Sequence, residues 1–278
     1  MRRKFYKMHG IGNDYVYFNC LRKELPYPAR LAITLSDRHF SVGGDGVILI
    51  CKSKIADAKM RIFNADGSEG KTCGNGVRCV GKFLYDFGIV KRKEVTVETL
   101  GGVARLWLFT DKTDKVIRVK ADMGRANFLT EAIPARFPQK KAIGVRLNVE
   151  GKIYTATCVN VGNPHCVIFT PPPTDFARVG AAIEKSDYFP ERVNVEFVEV
   201  ISPQEIRLRV WERGSGETLA CGSGACAAVS AAVASGYCRE GEDVLAHLQG
   251  GTLTVNYTKN AIYMTGSATF VYAGVVEI

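Results

Sequence analysis

The sequence lacks several features that would point to a particular class of protein. Its nine cysteines include no Cys-x-x-Cys pair, the spacing that is common in structural zinc sites. No run approaches the roughly 20 apolar residues that span a bilayer, and no apolar signal segment follows the basic N-terminus. We therefore expect a cytoplasmic protein that has no metal centre and does not associate with membranes.

Acidic residues are also in deficit, with 28 Asp and Glu against 37 Lys and Arg in 278 residues. The basic residues are scattered, and their densest clusters (MRRK, VKRKE and PQKKA) are short and far apart. A nucleic-acid-binding surface would concentrate them on one face or helix. We expect a solvated basic surface with no nucleic-acid partner, on a chain long enough for one large or two medium domains.

Two glycine-rich turns stand out against this background. The segments TCGNGVRCVGKFLYDFG (72–88) and ACGSGACAAVSAAVASG (220–236) each place a Cys-Gly-x-Gly turn before an apolar segment. These segments predict helices at about 75–87 and 222–235. Cys73 and Cys221 lie 148 residues apart, and strand-like segments surround both in a similar order. This pattern favours an internal duplication, with one glycine-capped central helix in each strand-rich half.

A cysteine in such a turn is well placed for acid/base chemistry. The first amides of a helix have no acceptor within the helix, and the positive end of its dipole stabilises a thiolate and lowers the thiol pKa. The same amides can hold a carboxylate. Two such thiols predict an acid and a base that act on opposite sides of one carbon and invert it. The alternatives are structural helix caps, or a thiol protein that forms a reversible disulfide.

Five segments of the chain, in order, carry a resemblance to a known family. They are KMHGIGNDYV (7–16), RIFNADGSEGKTCGNGVRC (61–79), NVGNPHCVIF (160–169), ERVNVEFV (191–198) and VWERGSGETLACGSGAC (210–226). Together they resemble the diaminopimelate epimerases, which are cofactor-independent amino-acid epimerases of lysine and cell-wall precursor biosynthesis. The resemblance covers nearly the whole length.

The resemblance implies an α/β fold of the α+β type with two pseudo-symmetric domains. Each would be a mostly antiparallel, barrel-like sheet around a central helix. The expected domains are 1–120 with 266–278, which contains Cys73, and 121–265, which contains Cys221. The family also implies a homodimer, a cleft that closes on diaminopimelate, and no pyridoxal phosphate or other cofactor.

The resemblance assigns a role to each matching residue. Cys73 and Cys221 would be the catalytic acid/base pair. His165 and Glu212 would tune the thiols and contact the substrate amine. Four positions would supply backbone N–H groups to the reactive carboxylate: Gly74, Asn75, Gly222 and Ser223. Five others would hold the amino and carboxyl groups of the substrate: Asn13, Asn64, Asn163, Asn194 and Arg213.

Several of these residues also have ordinary structural explanations. Asn13 and Asn64 precede turns and could form Asx turns, His165 could be a core histidine, and Glu212 with Arg213 could be a surface ion pair. Gly46 stands where the family has a glutamine, so that contact is expected to be missing or supplied by another group.

Related enzymes of the same fold remain alternatives. Proline or hydroxyproline racemases have paired cysteines, whereas the phenazine-type isomerases usually lack them. The asparagines and Arg213 favour a substrate with two amino-acid ends, since the end that is not inverted must also be held.

Overall fold

The computed structural model describes residues 2–278, and their contacts divide into two units. Unit 1 contains the residues up to Ala121 together with Thr265–Ile278, and unit 2 contains Asp122–Met264. These bounds and the expected domain bounds differ by one residue at each junction. Within residues 2–278, no helix has the length and hydropathy needed to cross a membrane.

The first half of the chain is built mainly from strands. Its elements are β1 (Arg2–Gly10), β2 (Asn13–Cys20), α1 (Pro28–Ser36), β3 (Gly46–Cys51), β4 (Ala58–Asn64), β5 (Glu69–Gly70), α2 (Gly74–Asp86), β6 (Glu94–Thr99), β7 (Gly102–Thr110) and β8 (Val116–Asp122). The second half has the same character. Its elements are a 3-10 turn (Thr130–Ala132), β9 (Val145–Val149), β10 (Lys152–Asn160), β11 (Pro164–Ile168), α3 (Phe176–Glu184), β12 (Asn194–Ser202), β13 (Glu205–Glu212), β14 (Gly216–Thr218), α4 (Gly222–Ala234), β15 (Asp243–Leu248), β16 (Gly251–Tyr257), β17 (Ile262–Ser267) and β18 (Thr269–Glu277).

The strand pairing repeats between the two halves. In unit 1, β2 pairs parallel with β3, β3 antiparallel with β4, and β4 parallel with β6. In unit 2, β11 pairs parallel with β12, β12 antiparallel with β13, and β13 parallel with β15. The registers correspond as well, because Val47 lies opposite Phe63, and 148 positions later Val195 lies opposite Trp211. The internal duplication expected from the two turns is present in the sheets.

Both central helices are buried almost along their whole length. α2 buries Val77, Val80, Phe83 and Leu84. α4 is rich in alanine, the residue with the highest helix propensity, and has buried residues all around it, as expected of a helix enclosed by a sheet. Both helices begin and end within one residue of the bounds predicted from the sequence.

The other two helices cover a second side of each sheet. α1 packs Ala32 and Leu35 into a core with strand residues such as Val47 and Leu49. α3 packs Phe176, Val179 and Ile183 into the corresponding core of unit 2. Each sheet is therefore apolar on both faces.

The last strand of the chain belongs to unit 1, where β18 pairs antiparallel with β1. Gly274 lies opposite Phe5 in this pairing. A Cβ atom on Gly274 would approach the Phe5 ring to 2.7 Å, so the close packing of the two strands requires glycine at this position.

Two candidate half-sites at the helix N-termini

The first half-site is built around Cys73, the N-cap residue of α2. Its backbone is extended, and its sulfur accepts a hydrogen bond from the N–H of Gly76 at 3.3 Å. This is the position in which a helix offers N–H groups and positive potential to an anion. The cysteine is half-buried. Gly74 and Asn75, which were predicted to present N–H groups, open the helix directly after it.

Asn13 connects Cys73 to a carboxylate. The thiol of Cys73 donates to Oδ1 of Asn13 at 3.4 Å, and Nδ2 of Asn13 donates to Asp45 at 2.7 Å. Asp45 also accepts from the backbone N–H of Asp14 and from Arg38. Since a carboxylate only accepts, Asp45 holds the amide group of Asn13 with its oxygen towards the sulfur. Asn13 was predicted from the sequence as a site residue, whereas Asp45 was not.

Tyr15 is a second residue of this half-site that the sequence did not single out. Burial raises the pKa of the Tyr15 hydroxyl well above its usual range, and the negative charge of Cys73 raises it further, while a hydrogen bond to Asn13 lowers it. The tyrosine lies two residues after Asn13 on β2, and side chains two residues apart point to the same face of a strand. Asn13 and Tyr15 therefore reach the thiol from one strand.

Gly46 cannot be replaced by glutamine on this backbone. A Cβ atom at this position would lie 2.1 Å from the carbonyl oxygen of Phe63, on the adjacent strand. No real Cβ approaches an atom so closely, and the atom met is backbone, which cannot swing aside. The glutamine contact of the family is therefore excluded at residue 46.

The remaining predicted asparagines of unit 1 differ in exposure. Asn64 is exposed and donates from Nδ2 to the hydroxyl of Ser68 at 3.0 Å. Asn75 is 2% exposed, and its Oδ1 accepts from the fully buried Arg78 at 2.8 Å. The Asn75 side chain thus anchors a buried guanidinium.

The second half-site repeats this design around Cys221, the N-cap residue of α4. Its sulfur accepts from the N–H of Gly224 at 3.3 Å and lies 3.5 Å from the hydroxyl of Ser223. Gly222 and Ser223 open the helix. Cys221 is 6% exposed, however, and is thus less accessible than the half-buried Cys73.

The expectation of a lowered thiol pKa is wrong for Cys221. Burial raises the pKa of this thiol well above its usual range, and the carboxylates of Glu212 and Glu196 raise it further. The hydrogen bonds from Ser223 and Gly224 oppose this effect but do not reverse it. Desolvation of the thiolate and two nearby negative charges outweigh the helix N-terminus here.

His165 and Glu196 form a fully buried pair beside this helix. Nδ1 of His165 lies 2.6 Å from Oε1 of Glu196, and Nε2 lies 3.0 Å from Oδ1 of Asn163. His165 and Glu196 are both 0% exposed. The structure therefore brings the predicted residues Asn163 and His165 together and adds Glu196, which the sequence analysis missed.

Asn194 links three segments of unit 2. Its Nδ2 donates to the carbonyl oxygen of Pro164 at 2.8 Å, and its Oδ1 accepts from the backbone N–H of Arg213 at 2.9 Å. The amide group thus fixes the chain next to Asn163 and at the start of the 213–215 turn. This structural role had not been foreseen for an asparagine in a strand.

Glu212 and Arg213 have different surroundings. Glu212 is half-buried at the end of β13 and accepts from the hydroxyl of Thr218 at 2.5 Å. The Arg213 side chain is exposed and donates to the carbonyl oxygen of Glu191 at 3.1 Å. Within residues 2–278, no three His, Cys, Asp or Glu side chains are grouped so that they could hold a metal ion.

Comparison with known proteins finds similarity to one named family over most of the chain. Residues 5–129 and 157–271 match the family model described as diaminopimelate epimerase. The chain is 44% identical to a diaminopimelate epimerase of Methanococcus maripaludis, over 99% of this chain and 100% of the relative. It is 46% identical to one of Desulfovibrio desulfuricans, over 98% and 97% of the two chains.

Solved structures with low sequence identity share the fold. A probable proline racemase from Agrobacterium radiobacter superposes with a TM-score of 0.72 at 17% identity, over 99% of this chain and 92% of that one. A phenazine biosynthesis protein of the PhzF family from Bacillus anthracis gives 0.69 at 15% identity, over the whole of both chains. The predicted α+β fold class is thereby confirmed.

Proposed function

The chain belongs to the diaminopimelate epimerase family, whose members are isomerases that act on diaminopimelate, and we propose that Cys73 and Cys221 are its catalytic acid and base. The observation that supports this proposal most directly is the matched position of the two thiols. Each caps the N-terminus of a buried central helix and accepts an N–H three residues later. Among the cysteines of residues 2–278, no other has this position.

The proposed reaction interconverts L,L- and meso-diaminopimelate through two proton transfers at one α-carbon. The thiolate of one cysteine removes the α-proton, and the electron pair moves into the adjacent carboxyl group as an enolate. The thiol of the other cysteine then delivers its proton to the opposite side of the carbon. The first residues of α2 and α4 would stabilise the developing charge with their N–H groups.

The two thiols would differ in charge in the free enzyme. Burial and two carboxylates raise the pKa of Cys221, which supports a resting state in which Cys221 is the thiol and acts as the acid. Cys73 is then the base. The reverse reaction starts from the opposite assignment, because each turnover leaves the first base protonated and the first acid as a thiolate.

The polar residues around the thiols would hold the two amino-acid ends of the substrate. Asn13, Asn163 and Asn194 are already oriented by hydrogen bonds to the protein, and pre-orientation reduces the entropy cost of binding. Asn64 and Arg213 are exposed and would close on the distal end, where a guanidinium can bind a carboxylate with two hydrogen bonds.

We also propose that the enzyme is a cytoplasmic homodimer that works without a cofactor. Both proton transfers use cysteine side chains, so no step calls for pyridoxal phosphate. Light scattering coupled to size-exclusion chromatography would determine the oligomeric state. A monomer at micromolar concentration that turns over at full rate would contradict the dimer.

The experiment that tests the function follows L,L-diaminopimelate in D2O with reduced protein and no added pyridoxal phosphate. The wild type should form the meso isomer with deuterium at the inverted α-carbon. Cys73→Ala and Cys221→Ala should each lower the rate by about 100- to 10,000-fold, the range expected for loss of a general acid or base.

Cys79→Ala and Cys226→Ala are matched controls, since these buried cysteines lie in the same two helices outside the first turn. Both should retain most of the activity. Inversion that persists in Cys73→Ala or Cys221→Ala would contradict the two-thiol scheme. Inversion of proline instead of diaminopimelate would contradict the role given to the polar residues.

A further inference from the structure

The internal repeat provides a matched pair of strand positions that contact the first turns of α2 and α4. Ile48 on β3 and Glu196 on β12 are separated by the same 148 residues as the two cysteines. A Cβ atom on Gly76 would lie 2.7 Å from Cδ1 of Ile48, and one on Gly224 would lie 3.0 Å from Oε1 of Glu196. Both side chains thus support the first turn of a central helix, one with a methyl group and the other with a carboxyl group.

A glutamic acid at this position is costly and therefore calls for an explanation. It is 0% exposed, and burial raises the pKa of its carboxyl group although His165 opposes the effect. Its Oε2 is buried without a hydrogen-bond partner. The other unit shows that isoleucine fills the same place. Replacing a buried polar group by an apolar one of similar volume is often neutral or stabilising, so packing alone does not account for Glu196.

The hydrogen bonds of His165 indicate what the carboxyl group does. An ionised carboxylate can only accept, so its contact at 2.6 Å assigns a hydrogen to Nδ1 of the ring. Oδ1 of Asn163 also only accepts, so its contact at 3.0 Å assigns a hydrogen to Nε2 as well, and the ring is held as a donor at both nitrogens. A second group that orients a histidine in this way is a common feature of active sites.

We propose that Glu196 is a positioning residue, which holds the imidazole of His165 and, through it, the amide group of Asn163. The inference rests on the proposed function, in which Asn163 contacts the substrate. Glu196 would also place a negative charge under the first turn of α4. The titratable groups that surround it come from all the elements packed there: His165 and Cys166 on β11, Glu212 on β13, and Cys221 before α4.

The first test observes the histidine ring and needs no activity. Protein labelled with nitrogen-15 in its four histidines should show a downfield Nδ1–H proton for His165, assigned by its loss in His165→Asn. Glu196→Gln should shift this signal strongly upfield or abolish it, because an uncharged amide accepts more weakly than a carboxylate. An unchanged His165 signal in Glu196→Gln would overturn the inference, even if the enzyme proved to act on another substrate.

The second test measures steady-state kinetics across pH. Glu196→Gln should lower kcat/KM by about 10- to 100-fold, the range expected for loss of a hydrogen bond to a charged group. Removing a negative charge favours the Cys221 thiolate, so the limb of the pH profile that reports Cys221 should move to lower pH. Glu196→Asp, which keeps the charge, should retain the pH profile.

Val198→Ala is the control for general damage to the core. Val198 is buried on the same strand, two residues after Glu196, and its truncation should lower stability without moving the pH profile. Equal kinetics and pH profiles for Glu196→Gln and wild type would overturn the proposal. If wild type itself fails to exchange the α-proton, the proposed function fails, while the nuclear magnetic resonance test still decides the role of Glu196.

Discussion

The two half-sites share a backbone but differ in chemistry. In unit 1 the half-buried Cys73 is hydrogen-bonded to Asn13, and Asp45 orients the Asn13 amide group. Ile48 packs against the first turn of the helix. In unit 2 the buried Cys221 lies near two carboxylates, and Glu196 takes the place of the isoleucine. The two half-sites therefore share the N-cap position of the cysteine and differ in the groups that decide whether it is a thiol or a thiolate.

This difference suits a reaction that needs one thiol and one thiolate at the same moment. Two identical half-sites would favour the same protonation state in both, and the productive state would be only one of several. Burial and the carboxylates of Glu212 and Glu196 raise the pKa of Cys221 and so favour its thiol form. The predictions below test this asymmetry, beginning with the largest expected effect.

Ile48→Glu would introduce into unit 1 the carboxyl group that unit 2 contains. Tyr15 takes the place of His165, since Tyr15 pairs with Gly46 and His165 pairs with Asn194, 148 positions later. It offers no imidazole partner. The unfolding free energy should fall by about 3–5 kcal/mol, as for an unpaired buried charge, and the loss should shrink as the pH falls and the carboxyl group is protonated.

Urea denaturation of Ile48→Glu at several pH values measures this loss, with Ile48→Met as the control. The control keeps the volume and should cost less than about 1.5 kcal/mol. Equal stability of the two variants at pH 8 would show that unit 1 accommodates a carboxylate as well as unit 2 does.

Alkylation compares the thiols directly. Cys73 should react with iodoacetamide at pH 8 about 100-fold faster than Cys221, because the thiolate is the reactive form. Cys221 is buried, and the pKa of its thiol is raised. Labelling of Cys221 should keep rising above pH 9, where more of its thiolate forms.

Mass spectrometry of the peptides after brief exposure to iodoacetamide gives both rates in one sample. Cys79 serves as an internal reference, since burial raises the pKa of its thiol to about 11 and it is 0% exposed. If Cys221 reacted as fast as Cys73, the proposal that Cys221 is the protonated thiol in the free enzyme would be wrong.

Gly46→Ala tests a backbone difference between the halves. Asn194, 148 positions later, carries a side chain that bonds to Pro164, whereas a Cβ on Gly46 would lie 2.1 Å from the Phe63 carbonyl oxygen. The substitution should cost about 2–3 kcal/mol, the upper range for overpacking. Gly70→Ala, whose Cβ would meet a methyl group of Ile62 at 3.3 Å, should cost less than about 1 kcal/mol. Thermal denaturation that gave equal losses would contradict the steric argument.

Local sequence signals explain why part of this site could be predicted. A Cys-Gly-x-Gly turn followed by an apolar segment defines an N-cap and a buried helix, so the bounds of α2 and α4 and the position of both cysteines followed from neighbouring residues. Tyr15, Asp45 and Glu196 were missed because they approach the thiols through strand pairing. Tyr15 meets Gly46, and His165 meets Asn194, only in the register of parallel strands.

One signal in the sequence could have identified Glu196. The 148-residue offset between the two cysteines aligns Glu196 with Ile48 in an apolar strand. A glutamate at such a position is almost never fully buried unless it is paired, which points to a partner such as His165. The pKa of Cys221 could not be inferred in this way. The helix N-terminus is a local feature that lowers the thiol pKa, whereas the burial and the two carboxylates that raise it come from the folded unit.

The smallest predicted effect concerns the orientation of Asn13. Asp45→Asn replaces an acceptor by an amide, so Asn13 loses the charge that directs its Nδ2 away from Cys73. We expect kcat/KM to fall about 10-fold, which corresponds to about 1.4 kcal/mol of transition-state stabilisation. Asp37→Asn is the matched control, because Asp37 lies eight residues earlier and accepts the N–H groups of His39 and Phe40. Asp45 bonds to Asn13, Asp14 and Arg38, whereas Glu196 bonds to His165. Because these partners differ, the Asp45→Asn loss should add to that of Glu196→Gln. A double variant no slower than Glu196→Gln alone would mean that Asp45 does not act on Cys73 through Asn13.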